Sequence, residues 1–107
     1  MIVRRKSRYQ LVETSKDVYL ESNDGQRGLA EGIARVIGEF GYMNANPKVM
    51  RQLNGRVFIM RTHRGDEDHV VLALSFIKQL SGMPIGFYTI RSSGSIRKLE
   101  NVAKGLY

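Results

Sequence analysis

Ser92, Ser93, Gly94 and Ser95 stand between Arg91 and the pair Arg97 and Lys98. Serine hydroxyls and the backbone N–H groups that open a helix both donate hydrogen bonds. Arginine carries a planar fork that grips phosphate through two bonds. Gly94 lets a ligand approach the backbone closely. Together these residue types make a seat for an anion at a helix start. They equally make an ordinary helix cap, with Ser93 or Ser95 as the capping residue. Both readings stand at this point.

The distribution of charge favours the anion. The chain has 107 residues and a net charge of +7. Residues 1–10 supply Arg4, Arg5, Lys6 and Arg8 and no acid, and residues 84–107 supply Arg91, Arg97, Lys98 and Lys104 against Glu100. Residues 11–83 hold nine basic and nine acidic side chains, so the whole excess lies at the two ends. A surplus gathered in this way attracts a polyanion, usually nucleic acid.

Other chemistry has little support. There is no cysteine, which excludes disulfides, thiolate nucleophiles and zinc–thiolate sites. His63, Asp66, Glu67, Asp68 and His69 lie close in sequence, but not at a diagnostic ligand spacing. Acids are expected in the first turn of a helix, where they meet its dipole. No nucleophile–base motif is present. No catalytic residue, metal ligand or bound cofactor is therefore assigned to the chain. The opening "MIVRRKSRYQ" lacks the apolar core of a signal peptide. The longest apolar run, "VVLALSFI", is far short of the about 18 residues that cross a membrane. A cytoplasmic protein without membrane contact is expected.

The elements that must position the basic ends follow from periodicity. "SRYQLVET" alternates in part and predicts a strand over residues 7–14. Residues 25–40 place Leu29, Ile33, Val36, Ile37 and Phe40 at helical spacing, with Gly41 as a helix-ending glycine. "KVMRQL" and "RVFIMRT" flank Asn54 and Gly55, the pattern of a tight hairpin with positive φ at both turn residues. A second helix over 66–80 carries Val70, Ala73, Leu74, Ile77 and Leu80, with Ser81, Gly82 and Pro84 ending it. "IGFYTIR" predicts a fourth strand, and a short basic helix follows from residue 95 to 106.

The order is β-α-β-β-α-β plus a terminal helix in a single domain over residues 1–107. It predicts an α+β, ferredoxin-like or RRM-like fold with antiparallel strand order 4-1-3-2 and both main helices on one face. In that plan the start of strand 1 and the ends of strands 3 and 4 share one edge. Arg4, Arg5, Lys6 and Arg8 would then meet Arg61 and Arg64 from strand 3. Arg91, Ser93, Gly94, Ser95, Arg97 and Lys98 would join from strand 4 and the last helix. These are the expected RNA-binding residues. Base-reading RRM domains stack bases on aromatics of the third strand. Here that strand has only Phe58, so contact with phosphates and RNA shape is the expected mode.

"GFYTIRSSGSIRKLEN" resembles the end of the archaeal and eukaryotic ribonuclease P protein component 2 family. There a final strand enters a Ser-Gly-Ser/Thr-Ile-basic turn and a basic helix. "RYQLVE" and "RVFIMRTHRGDEDHVVLALSFI" fit the same family, so the resemblance spans most of residues 7–100. It implies an RRM-like subunit without an active site of its own. It implies as partners the ribonuclease P RNA, precursor tRNA and a TIM-barrel protein subunit, with magnesium carried by the RNA; self-association is left open. It also implies RNA contact by Arg91, Ser93, Gly94, Ser95, Arg97 and Lys98. Two alternatives remain: a stand-alone or ribosome-associated RNA-binding module, and a ferredoxin-like regulatory domain that binds a small anion.

Overall fold

The computed structural model describes residues 6–106. Arg4 and Arg5 lie outside these residues. β1 (Ser7–Thr14) leads through a loop to α1 (Asn23–Ala45). A hairpin of β2 (Lys48–Asn54) and β3 (Val57–His63) comes next, then α2 (Glu67–Phe76). A two-residue hairpin, β4 (Gln79–Leu80) and β5 (Met83–Pro84), precedes β6 (Phe87–Ser93), and α3 (Ile96–Leu106) follows. The main sheet has the order β2-β3-β1-β6, and every pairing in it is antiparallel. With β6 as the fourth long strand, this is the α+β, RRM-like order 4-1-3-2.

Alternation along the strands sorts side chains to two faces. Val12, Phe58, Met60 and Phe87 face α1 and α2 and form the larger core with Leu29, Ile33, Val70, Ala73 and Leu74. The rings of Phe58 and Phe87 meet edge to face at 6.3 Å and 82°. Leu11, Val57 and Ile59 face the opposite way, where Leu99 and Ala103 of α3 cover them. The run Val57, Phe58, Ile59, Met60 is buried throughout because both faces of β3 are covered. Burying each such side chain contributes about 1.5–3 kcal/mol.

Three local expectations are corrected. The first helix does not end at Gly41. It leaves helical geometry at Gly38 (φ 76, ψ 172), resumes, and ends at Asn46 in the left-handed region (φ 44). Beyond the kink Phe40 is 84% exposed, while Ala45 returns to the core. The second helix stops at Phe76 rather than residue 80. Ile77 takes extended dihedrals, and Ser81 (φ 52) with Gly82 (φ 79) forms the tight turn between β4 and β5. Ile77 and Leu80 are buried all the same. Local turn geometry here overrides a helical spacing that the core satisfies in two elements.

Asn54 and Gly55 connect the β2–β3 hairpin without positive φ. Instead Asn54 Oδ1 accepts a hydrogen bond from Arg56 N–H at 2.8 Å, a side-chain-supported turn. A Cβ at position 55 would stand 2.7 Å from Asp17 Oδ1, so a larger residue there would displace the exposed Asp17 carboxylate from its place beside Arg56. At α2, the N-cap Asp66 makes no side-chain cap bond. Glu67 accepts from Gly65 N–H instead.

Candidate nucleic-acid interface

The strand register brings the start of β1 beside the ends of β3 and β6. Ser7 is opposite His63 and Tyr9 opposite Arg61 on one side, and Tyr9 is opposite Ser93 on the other. Arg64 N–H donates to Lys6 O at 2.6 Å. A Cβ on Gly94 would stand 3.6 Å from Arg8 Nη1. Lys6, Arg8, Arg61, Arg64 and the Ser93–Gly94–Ser95 turn therefore share one end of the sheet. Arg91 sits one step further in, opposite Leu11. Arg97 and Lys98 are exposed in the first turn of α3.

The small-residue turn is shorter than the sequence suggests. Ser92 and Ser93 belong to β6, which runs two residues past Arg91. Ser93 Oγ accepts from Ser95 N–H at 3.1 Å, and Ser95 Oγ accepts from Lys98 N–H at 3.4 Å. Ser95 thus acts as the N-cap of α3, and both hydroxyls are engaged as acceptors within the turn. The N–H groups of Ile96 and Arg97 precede any possible helical acceptor and remain for an anion. The capping reading is thus observed, and the N–H groups of Ile96 and Arg97 lie outside it.

Cations divide by whether an acid answers them. Arg51 Nη1 lies 2.6 Å from Glu100 Oε1, which fastens β2 to α3. Arg56 Nε lies 3.2 Å from Asp17 Oδ1. Among the described residues, Lys48, Arg61, Arg91, Arg97 and Lys98 take part in no such pair.

His63 and His69 have different partners, one on α1 and one within the stretch. His63 Nδ1 lies 2.8 Å from the Asn44 carbonyl oxygen, and His69 Nδ1 is 3.7 Å from Asp66 Oδ1. No group of three His, Asp or Glu side chains able to hold a metal occurs among the described residues. A groove of about 570 Å³ lies between α1 and β2, lined in part by Gln26, Arg27, Tyr42, Asn46 and Lys48. It includes none of residues 91–98. Sequence reasoning missed Lys48, whose place beside Arg61 depends on the β2–β3 register.

These features define a class: an RRM-like domain with one basic end and with its second sheet face roofed by α3. The model of the Rpp14/Pop5 family matches residues 8–104. The chain belongs to that family. It is similar to "Ribonuclease P protein component 2" of Methanocorpusculum labreanum, 29% identical over 87 residues, which are 81% of this chain and 54% of that protein. The chain spans about half the length of that curated relative. The fold is shared with a chain in the cryo-EM structure of yeast ribonuclease MRP, with a TM-score of 0.68 at 13% identity. That likeness covers 99% of this chain and 95% of the other. No helix among the described residues is long and apolar enough to cross a membrane.

Proposed function

We propose that this chain is a protein subunit of ribonuclease P that binds and supports the RNA removing 5′ leaders from precursor tRNA. The observation that carries the reading is family membership over residues 8–104. The convergence of unanswered cations at one end supports it. The chain supplies no active site; the chemistry belongs to the RNA and its magnesium. The protein lowers repulsion between RNA phosphates by laying fixed cations against them. A TIM-barrel protein subunit of ribonuclease P is the expected protein partner, and precursor tRNA reaches the protein through the assembled particle.

Reconstitution tests this. Ribonuclease P RNA from the source organism is assembled with and without the chain and its TIM-barrel partner, and precursor-tRNA cleavage is followed at low magnesium. The chain should raise cleavage and should copurify with the partner. A chain that binds RNA but neither copurifies nor raises cleavage is a stand-alone RNA-binding module instead.

A further inference from the structure

The α3 side of the sheet carries a row of donors that no single stretch of sequence reveals. Lys48 is opposite Arg61, Arg61 is opposite Tyr9, and Tyr9 is opposite Ser93. Directly opposite residues share a face, so these four side chains line up across all four strands. The face is fixed by neighbours. Tyr9 packs against the Leu11, Ile59 and Leu99 cluster, and Arg61 follows Ile59 by two residues. Arg91, opposite Leu11, adds a cation one row inward at the β6 edge.

The charges in this row are unanswered. Arg51, on the same face, has Glu100. Lys48, Arg61 and Arg91 have no carboxylate among the described residues. Arg61 is half-buried. A cation drawn partly out of water without an anion is unfavourable, and an incoming phosphate relieves that cost. Neighbouring strands stand about 4.8 Å apart, so the row is a ladder of donors running perpendicular to the strands. It passes beside the first turn of α3.

The geometry points to a track for an RNA backbone across this face, with phosphates on Lys48, Arg61 and Arg91 and the Tyr9 ring between them. It rests on the ribonuclease P reading and goes beyond it by naming a face and a path. The contacts are to phosphate, so the track is indifferent to sequence. Because α3 roofs the remainder of that face, the strand passes along the margin of α3 rather than across the middle of the sheet.

The test titrates a labelled RNA hairpin of arbitrary sequence against the full chain over a range of salt. Lys48→Gln with Arg61→Gln and Arg91→Gln should lower the log–log salt slope by about 2, since each phosphate contact contributes about 0.7–0.9. Arg61→Lys should keep the slope within one contact of the wild type. Arg56→Gln removes an equally basic but answered side chain and should leave the slope unchanged. If the triple variant fails to fold by circular dichroism, the exposed single variants Lys48→Gln and Arg91→Gln carry the test, each losing about one contact. A folded triple variant, or both singles, with wild-type slope and affinity would overturn the track. So would an equal loss in Arg56→Gln. A wild type that binds the hairpin as expected but fails to raise cleavage in the reconstituted particle would sink the ribonuclease P reading and leave the track standing.

Discussion

The guanidinium of Arg8, near the start of β1, lies against Gly94, past the end of β6: a Cβ on that glycine would meet Nη1 at 3.6 Å. That distance is ordinary contact, and Gly94 has no positive φ, so neither space nor backbone demands glycine. Gly94→Ala should therefore fold and bind RNA as the wild type does. Gly94→Asp should place a carboxylate beside Arg8 and remove it from service to phosphate. The RNA salt slope should fall by about 0.9, one contact, with the melting temperature little changed. Wild-type binding by Gly94→Asp would show that Arg8 does not face RNA.

Ser95 separates capping from anion binding. Its hydroxyl accepts from Lys98 N–H, so Ser95→Ala should cost about 1 kcal/mol in urea unfolding. RNA affinity under folding conditions should stay the same, because the donors left for phosphate are elsewhere. Arg97→Ala with Lys98→Ala should do the reverse, leaving stability near wild type and lowering the salt slope by about 1.5. Reconstituted cleavage at low magnesium should fall in that double variant. A Ser95→Ala protein with wild-type stability and weakened RNA binding would reverse these roles.

The strand order and the approach of Lys6 and Arg8 to Arg64 and Gly94 were legible because they depend on element order, which survives errors of a few residues. Gly38 and Ser81 were not legible. At Gly38 the apolar spacing continues through the kink, since Val36, Ile37 and Phe40 keep a helical period while only Ile37 packs on the core. At Ser81 the pair Ser-Gly reads equally as a helix end or as a two-residue turn. The roof over the second sheet face was half-visible in the unbroken "VFIM", which needs two covered faces. The row from Lys48 to Ser93 depends on three pairings at once, and each register sets which face a residue joins.

Gly38 itself predicts a stability effect without a contact. At φ 76 and ψ 172 it occupies a region that costs a non-glycine residue about 1–3 kcal/mol. No atom lies within 4 Å of its would-be Cβ, so the cost is backbone strain alone. Gly38→Ala should lower the urea midpoint with an unchanged m-value. Gly41→Ala meets the Ile37 side chain at 3.0 Å within an ordinary helix and should be milder. Equal stability in Gly38→Ala and the wild type would mean that the helix can straighten there at no cost.

The docking of α3 is the relation on which the roofed face and the RNA track both depend. Two kinds of contact hold it, and their magnitudes differ. Leu99 is fully buried beneath the sheet cluster, and truncating a buried leucine costs about 2–5 kcal/mol. The Arg51–Glu100 pair is surface-exposed, with Arg51 at 58% and Glu100 at 26%, and such a pair contributes about 0–1 kcal/mol. Leu99→Ala should therefore destabilise the protein several times more than Arg51→Ala. Because Leu99 fills the contact with Leu11, Val57 and Ile59, its loss should also loosen α3 and open that apolar face. An apolar dye should bind Leu99→Ala at denaturant concentrations where the wild type and Arg51→Ala stay dark. Hydrogen exchange should then quicken first in α3, while β1 and β3 amides remain protected by their ladder. If Leu99→Ala unfolds within about 0.5 kcal/mol of the wild type, the apolar contact does not hold the helix. In that event Ala103, Ile96 and Val102 with the ion pair suffice to keep α3 on the sheet.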